Sequence, residues 1–231
     1  MIKGIFIDFY GTVVYEDGEI VSKISQKIYE TGNAESVSQI DAYWWNSFKS
    51  LFENSEVKKF AHDIKTDAYG ETFQTQRELE TKSLIDTIRH FKSPLDGLSL
   101  SGEMFEYWEK PPIFEESKQF FRECPLPIYI VSIIDRADIM AAVEYHGLHP
   151  RDVFTSEDAK SYKPRKELFE LALNKTGLAA DEVLHIGDSL SSDVKGASLV
   201  GISPIWINRN GKEFPGNVTA VSSLLEVLPY L

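Results

Sequence analysis

The apolar positions of this chain change their spacing along its length, and the changes mark out its organisation. Residues Ile2 to Asp8 form an apolar run of strand length, punctuated by Gly11 and Thr12, which predicts a buried strand with a carboxylate at its C-terminal end. From about Glu19 to Trp108 no strand pattern occurs. Amphipathic stretches at Ile20 to Tyr29, Ser38 to Phe52 and Glu71 to Phe91 recur with helical spacing, so this region reads as a helical insertion. Pro111-Pro112 ends it, because proline removes a backbone donor and restricts the residue before it. Helices and short apolar strands then alternate. Helices are predicted at Glu115 to Arg122, Arg136 to His146, Arg165 to Lys175 and Ser192 to Val200, and strands at Ile128 to Val131, near Val153, at Val183 to Ile186 and at Pro204 to Ile207. That alternation predicts a parallel sheet covered by helices on both faces, a doubly wound α/β arrangement.

Ligands of such sheets bind at the carboxyl ends of the strands. Asp8, Ser132, Asp188 and Asp193 all fall at or just after predicted strand ends, so separate segments are expected to converge on one crevice.

The 231 residues suffice for one large domain or for a core with a smaller second unit, and 42% hydrophobic with 26% charged residues is ordinary for a globular protein. Net charge changes the picture more. At −12 the chain repels phosphate backbones and anionic lipid, which argues against nucleic-acid and membrane partners; an anionic small-molecule substrate needs local compensation from a cation or a lysine. The apolar N-terminal run is too short to span a membrane and contains Asp8, so it does not read as a signal peptide. A single cysteine, Cys124, fits a reducing cytoplasm and reads as a small residue at a helix end. The pattern leaves oligomeric state open.

Asp8-Phe9-Tyr10-Gly11-Thr12, the apolar strand running into Val131-Ser132, Lys163-Pro164, and Gly187-Asp188-Ser189 with Asp193 five positions after Asp188 resemble, in this order, the four motifs of the haloacid dehalogenase-like (HAD) hydrolase superfamily. The likeness spans residues 1–14 and 112–208. Each motif alone is weak; order, spacing and strand-end placement together are specific. The resemblance implies a Rossmann-like core built from residues 1–14 and 111–231, with an all-helical cap domain at 15–110 inserted between the first and second motifs to cover the pocket.

A carboxylate at a strand end can attack an electrophilic centre and form a covalent ester or acyl phosphate, and Asp8 fits that role. Attack on a phosphoryl group brings anion toward anion, so a divalent cation is expected to offset the repulsion. Asp8, the backbone carbonyl of Tyr10, Asp188 and Asp193 offer hard oxygen ligands, suited to Mg2+. By resemblance, Ser132 hydrogen-bonds a transferring phosphoryl oxygen, Lys163 neutralises charge on Asp8 and the transition state, and Thr12 orients the nucleophile's loop. Each residue also has a plainer reading. Asp193 suits a cap on the helix from Val194, Ser132 a cap on the helix after it, Lys163 a solvated surface position, and His185 a satisfied core residue. The aromatic set Tyr43, Trp44, Trp45 and Phe48 reads first as packing within the cap.

The resemblance implies a phosphatase acting on a small phosphorylated metabolite through an aspartyl phosphate, with one departure. Phosphatases of the superfamily carry a second Asp two residues after the nucleophile, where this chain has Tyr10. A general acid or base contributes about 10²- to 10⁴-fold, so its loss raises the barrier by about 3 to 5 kcal/mol. The Asp-x-Tyr-Gly-Thr pattern is similar to that of haloacid dehalogenases, whose leaving halide needs no proton. Those enzymes carry Asn where Ile133 stands and Tyr where Phe169 stands, and they have a Ser/Asn-rich fourth motif in place of Gly187-Asp188-Ser189. A 2-haloacid dehalogenase is therefore the alternative activity, and a catalytically weakened phosphate-binding regulator the alternative of a different class.

Overall fold

The computed structural model describes residues 1–56, 73–213 and 216–231. They form two compact units, Met1–Glu16 with Pro111–Leu231, and Asp17–Lys110. Among the described residues no helix is long and apolar enough to cross a membrane.

The first unit is built on six parallel strands: β1 (Gly4–Ile7), β2 (Ile128–Ser132), β3 (Asp152–Thr155), β4 (Val183–Gly187), β5 (Ser203–Ile207) and β6 (Thr219–Val221). Their order is β3-β2-β1-β4-β5-β6, with every neighbouring pair parallel. This is the doubly wound, Rossmann-like order, whose direction of growth reverses between β1 and β4 and leaves a crevice beyond their carboxyl ends. All residues of β1 and β4 are buried, which is why those strands read as continuous apolar runs. Helices α5 (Ser117–Glu123), α6 (Arg136–His146), α7 (Ser156–Ala159), α8 (Lys166–Thr176) and α9 (Lys195–Leu199) complete the layers. Phe6, Val131, Phe154, Leu168, Phe169, Val183 and Ala197 share one buried apolar cluster between sheet and helices.

Two expectations change here. The helix foreseen at Ser192 to Val200 is divided into a π turn, Leu190–Val194, and the short α9. The Val194 amide reaches back five residues to the Ser189 carbonyl at 3.1 Å, and the widened turn swings Asp193 inward. The three-residue β6 was not foreseen; its only buried residue is Val221, too little apolar pattern to identify a strand.

The second unit contains α1 (Gly18–Thr31), α2 (Val37–Glu56), α3 (Gln76–His90) and α4 (Gly97–Glu109). α1 and α3 each pack against both α2 and α4, a four-helix arrangement. Ile20, Ile24 and Ile28 line the inner face of α1, and Leu100, Met104 and Trp108 that of α4, both at four-residue spacing. Thr75 and Glu78 form a capping box that starts α3. The expected stretch Glu71 to Phe91 is thus helical from Gln76; residues 71 and 72 lie outside the described residues. α4 escaped the sequence reading because Gly97, Gly102, Ser99 and Ser101 dilute its apolar face. The aromatic set of α2 does not act as one stripe: Trp44 is buried and donates to Ser83 Oγ at 3.1 Å, Tyr43 stacks on His90 at 3.9 Å, and Trp45 is 62% exposed.

This bundle holds two acids at low solvent access. Asp17 accepts from Trp108 Nε1 at 3.0 Å and its pKa is raised by burial. Burial, and then the charge of Asp17, push Glu80 from 4.5 up to about 8, against hydrogen bonds from Trp44 and Ser83. The folded value lies above the unfolded one, so the folded state retains a proton that the unfolded chain has released. Stability from this group is complete below pH 4.5 and is lost progressively up to about pH 8. Glu80→Gln is expected to melt within a degree or so of the natural chain near pH 4.5 and several degrees higher at pH 8.5, as followed by circular dichroism across that range.

Candidate active site

The crevice beyond β1 and β4 is assembled by short-range backbone geometry. After Ile7 the Asp8 amide donates to the Ile186 carbonyl at 2.8 Å, which ties the carboxylate to the neighbouring strand. The chain then turns tightly, with the Phe9 carbonyl accepting from the amides of Val13 at 2.7 Å and Val14 at 3.0 Å. Gly11 makes this turn possible. Its φ is +81°, and a Cβ there would lie 2.6 Å from an Asp188 carboxylate oxygen. Gly187 is constrained in the same way, since a Cβ on it would meet Asp193 Cγ at 2.2 Å. Two acids can therefore crowd the crevice only because glycine stands opposite each of them.

Asp8, Asp188 and Asp193 each offer a carboxylate oxygen, and these oxygens all lie within 4.8 Å of one another. Lys163 comes in from the segment between α7 and α8 with its side chain 1% exposed, donating to Asp8 Oδ1 at 2.8 Å and to Asp193 Oδ1 at 2.7 Å. That excludes the solvated reading of this lysine. Asp193 does not cap a helix: Ser189 caps the π turn by accepting from the Ser192 amide, while Asp193 Oδ2 accepts from the Ser189 amide at 3.0 Å. Ser132 ends β2 at 1% exposure, and its Oγ accepts from the Ile134 amide at 3.3 Å; the residue at the cap position of α6 is Asp135. Thr12 is buried and donates to Asp188 Oδ1 at 3.4 Å. Tyr10 is half-buried, with its ring edge-on to Phe9. Asp8, Thr12, Lys163, Asp188 and Asp193 are thus brought together at one strand-end crevice, with Ser132 at the end of the neighbouring strand β2 and Tyr10 in the turn after Asp8.

The electrostatics follow from a mismatch in number. Three carboxylates face one ammonium, a formal surplus of two negative charges. Burial opposes the ionised form of Asp193, but the Lys163 charge and the His185 hydrogen bond outweigh it and hold that carboxyl below the usual range. Asp8 is raised well above its ordinary value by burial, only partly relieved by Lys163, and then by the charges of Asp193 and Asp188. Asp188 is pushed up to about 7 by burial, Asp193 and Glu16. Lys163 is raised despite burial, because Asp193 and Asp8 keep its charge favourable. One ammonium thus secures one carboxylate, and the other two bear the repulsion. Their hard oxygen donors, close spacing and uncompensated charge fit a divalent cation such as Mg2+.

Two supporting residues escaped the sequence reading, and a third, His185, was expected there only as a satisfied core residue. Arg209, just past β5, donates to the Thr12 carbonyl at 2.8 Å and to Glu116 at 2.6 Å, with its guanidinium 3.6 Å from the Phe114 ring centroid. Trp206 Nε1 donates to the Asp188 carbonyl at 2.8 Å. His185 Nε2 lies 2.9 Å from Asp193 Oδ1. Of these only His185 left a trace in the sequence, as a polar residue inside an apolar strand.

Similar proteins share this architecture. The chain is 26% identical over 223 residues to the (S)-2-haloacid dehalogenase of Pseudomonas sp. (strain YL), covering 92% of this chain and 85% of that enzyme. Other similarities are partial: 27% identity over 124 residues to the phosphoserine phosphatase of Thermus thermophilus covers 49% of it, and 41% identity over 69 residues to the HAD-hydrolase YfnB of Bacillus subtilis covers 29%. Among solved structures, the L-2-haloacid dehalogenase PA0810 superposes with a TM-score of 0.78 at 16% identity, covering 100% of this chain and 98% of that one. A HAD phosphatase from Thermococcus onnurineus gives 0.66 at 19%, with 99% and 97% covered. At these identities the structures attest the fold. The profile of the haloacid dehalogenase-like hydrolases matches residues 2–201, so that strand order, crevice and sequence agree, and this chain belongs to the haloacid dehalogenase-like hydrolase family.

Proposed function

We propose that this hydrolase is a Mg2+-dependent phosphatase of small phosphorylated metabolites that works through an aspartyl phosphate on Asp8. The observation that carries the reading is the surplus of two negative charges among Asp8, Asp188, Asp193 and Lys163 in a buried crevice. Asp8, Asp188 and the Tyr10 carbonyl would hold the ion, with Asp193 completing the set through the lone pair left on its Oδ2. When bound, the ion supplies charge neutralisation and in-line alignment of a phosphoryl group.

The residues of the chain divide the remaining work. Lys163 occupies Oδ1 of Asp8, which leaves Oδ2 as the attacking oxygen. The new Oδ2–P bond forms as the bond from phosphorus to the leaving oxygen breaks. Ser132 Oγ already accepts from the Ile134 amide, so its own proton is available to a phosphoryl oxygen. The Lys163 ammonium stabilises charge that builds up beside Asp8. Water then attacks phosphorus, the P–Oδ2 bond breaks, and phosphate and the Asp8 carboxylate are regenerated. With Tyr10 in place of a carboxylic acid, protonation of a poor leaving group is slow, which favours acyl and aryl phosphates.

A dehalogenase is the second reading, favoured by Tyr10 and by similarity to the Pseudomonas haloacid dehalogenase over most of both chains. There Asp8 would displace halide from carbon, and water would hydrolyse the resulting ester. Against it stands the same charge surplus, which repels a haloacid carboxylate unless a cation is present.

A parallel assay of acyl and aryl phosphates and 2-haloacids decides between the two. Phosphate release is expected to vanish with chelator and return with magnesium, and Asp8→Asn to abolish it; halide release that resists chelator would overturn the phosphatase reading. Magnesium is also expected to raise the melting temperature of the natural chain and not that of Asp188→Asn, through binding to the folded state alone. Tyr10→Asp supplies the missing acid and is expected to accelerate hydrolysis of alkyl phosphates by about tenfold or more, while changing acyl phosphate turnover far less. Steady-state kinetics on the two substrate types measures the difference.

A further inference from the structure

His185 is wholly buried on β4, paired with Phe6 of β1 and edge-on to the Phe169 ring at 4.9 Å. Phe6, Phe169 and Val183, the last on the same face of β4, belong to the apolar cluster between sheet and helices. A leucine would fill such a place without burying any polar atom, whereas a buried ring nitrogen left unbonded costs about 1–3 kcal/mol. The imidazole is nevertheless aimed at the site. Its Nε2 lies 2.9 Å from Asp193 Oδ1, the same oxygen that accepts from Lys163 Nζ at 2.7 Å, and Lys163 in turn donates to Asp8 Oδ1 at 2.8 Å. A carboxylate oxygen already bound to an ammonium has no proton to give, so the proton between ring and acid belongs to Nε2. Two donors on Oδ1 and the Ser189 amide on Oδ2 together hold the rotation of the Asp193 carboxylate.

We propose that His185 is a positioning residue, which by donating from Nε2 to Asp193 holds that carboxylate in the rotation that presents Lys163 to Asp8. The assignment of Asp8 as nucleophile rests on the reading above. Lysine is a point charge on a flexible stem, with no fork to pre-set its direction, so its placement depends on its acceptors. Asp193 is the acceptor that does not react; if its carboxylate turns, the ammonium follows it away from Asp8.

His185→Leu removes the donor, and His185→Gln keeps an amide donor that can stand in for Nε2. With magnesium present, the leucine variant is expected to lose about 10- to 100-fold in kcat with KM little changed, as when outer-shell partners are removed, and the glutamine variant to recover most of the loss. A second readout needs no substrate. In 15N-lysine-labelled protein, the Lys163 ε-ammonium, held by two buried carboxylates, is expected to give a slowly exchanging 1H–15N signal that His185→Leu abolishes or shifts and His185→Gln preserves. If 2-haloacids and not phosphate esters turn over, the proposed phosphatase activity fails and the kinetic arm is read on the haloacid; if neither does, the ammonium signal decides alone. Should the leucine variant not fold, His185→Met takes its place. An unchanged kcat and ammonium signal without the donor would overturn the proposal, as would a glutamine variant as impaired as leucine, since a purely structural histidine predicts losses that follow melting temperature and not the presence of a donor.

Discussion

One ammonium among three crowded carboxylates is the constraint around which the core is built. Lys163 can satisfy Asp193 and reach Asp8, but it cannot cancel the charge of all three acids, and burial at the sheet's switch point shields Asp8 and Asp193 from water while Asp188 is half-buried. β1 and β4 are adjacent and parallel, so the residues that follow them, Asp8 and Asp188, necessarily emerge side by side. The repulsion is therefore a product of strand order, and a divalent cation or a proton is the chemical relief open to it.

Such crowding demands support from around the site. Gly11 and Gly187 supply steric room, each standing where a Cβ would collide with a carboxylate. Trp206 and Arg209, both from the end of β5, hold the Asp188 and Thr12 carbonyls, so a strand that contributes no proposed catalytic group still shapes both acidic loops. The π turn at Leu190–Val194 swings Asp193 inward, where His185 and Lys163 meet it on a single oxygen. These contacts are preorganisation in the physical sense: dipoles and charges are oriented before any substrate arrives.

The same scaffold explains why relatives of this chain include both haloacid dehalogenases and phosphatases. A carboxylate nucleophile backed by a lysine suits attack on carbon or phosphorus alike. The chemistries part over the charge that must be neutralised and over whether the leaving group needs a proton. On the reading proposed above, the first criterion is met at Asp188 by a cation and favours phosphorus, while the second, at Tyr10, is lenient toward halide or an acidic leaving group.

The amino-acid sequence by itself determined the strands of the sheet's centre, because residues buried on both faces must be apolar throughout, and it singled out Asp8, Lys163, Asp188 and Asp193, because their types and order along the chain are specific. It also marked the helical insertion through the spacing of Ile20, Ile24 and Ile28, although α4, diluted by glycine and serine, and the three-residue β6 carried too weak a pattern to be seen. Tertiary structure alone decided that Asp193 turns inward instead of capping a helix, that Lys163 is buried, and that His185, Trp206 and Arg209 serve the site. The reason is physical. Local periodicity reports which face of an element is buried, whereas hydrogen bonds between residues 8, 163, 185 and 193 exist only once distant strands have been brought into register.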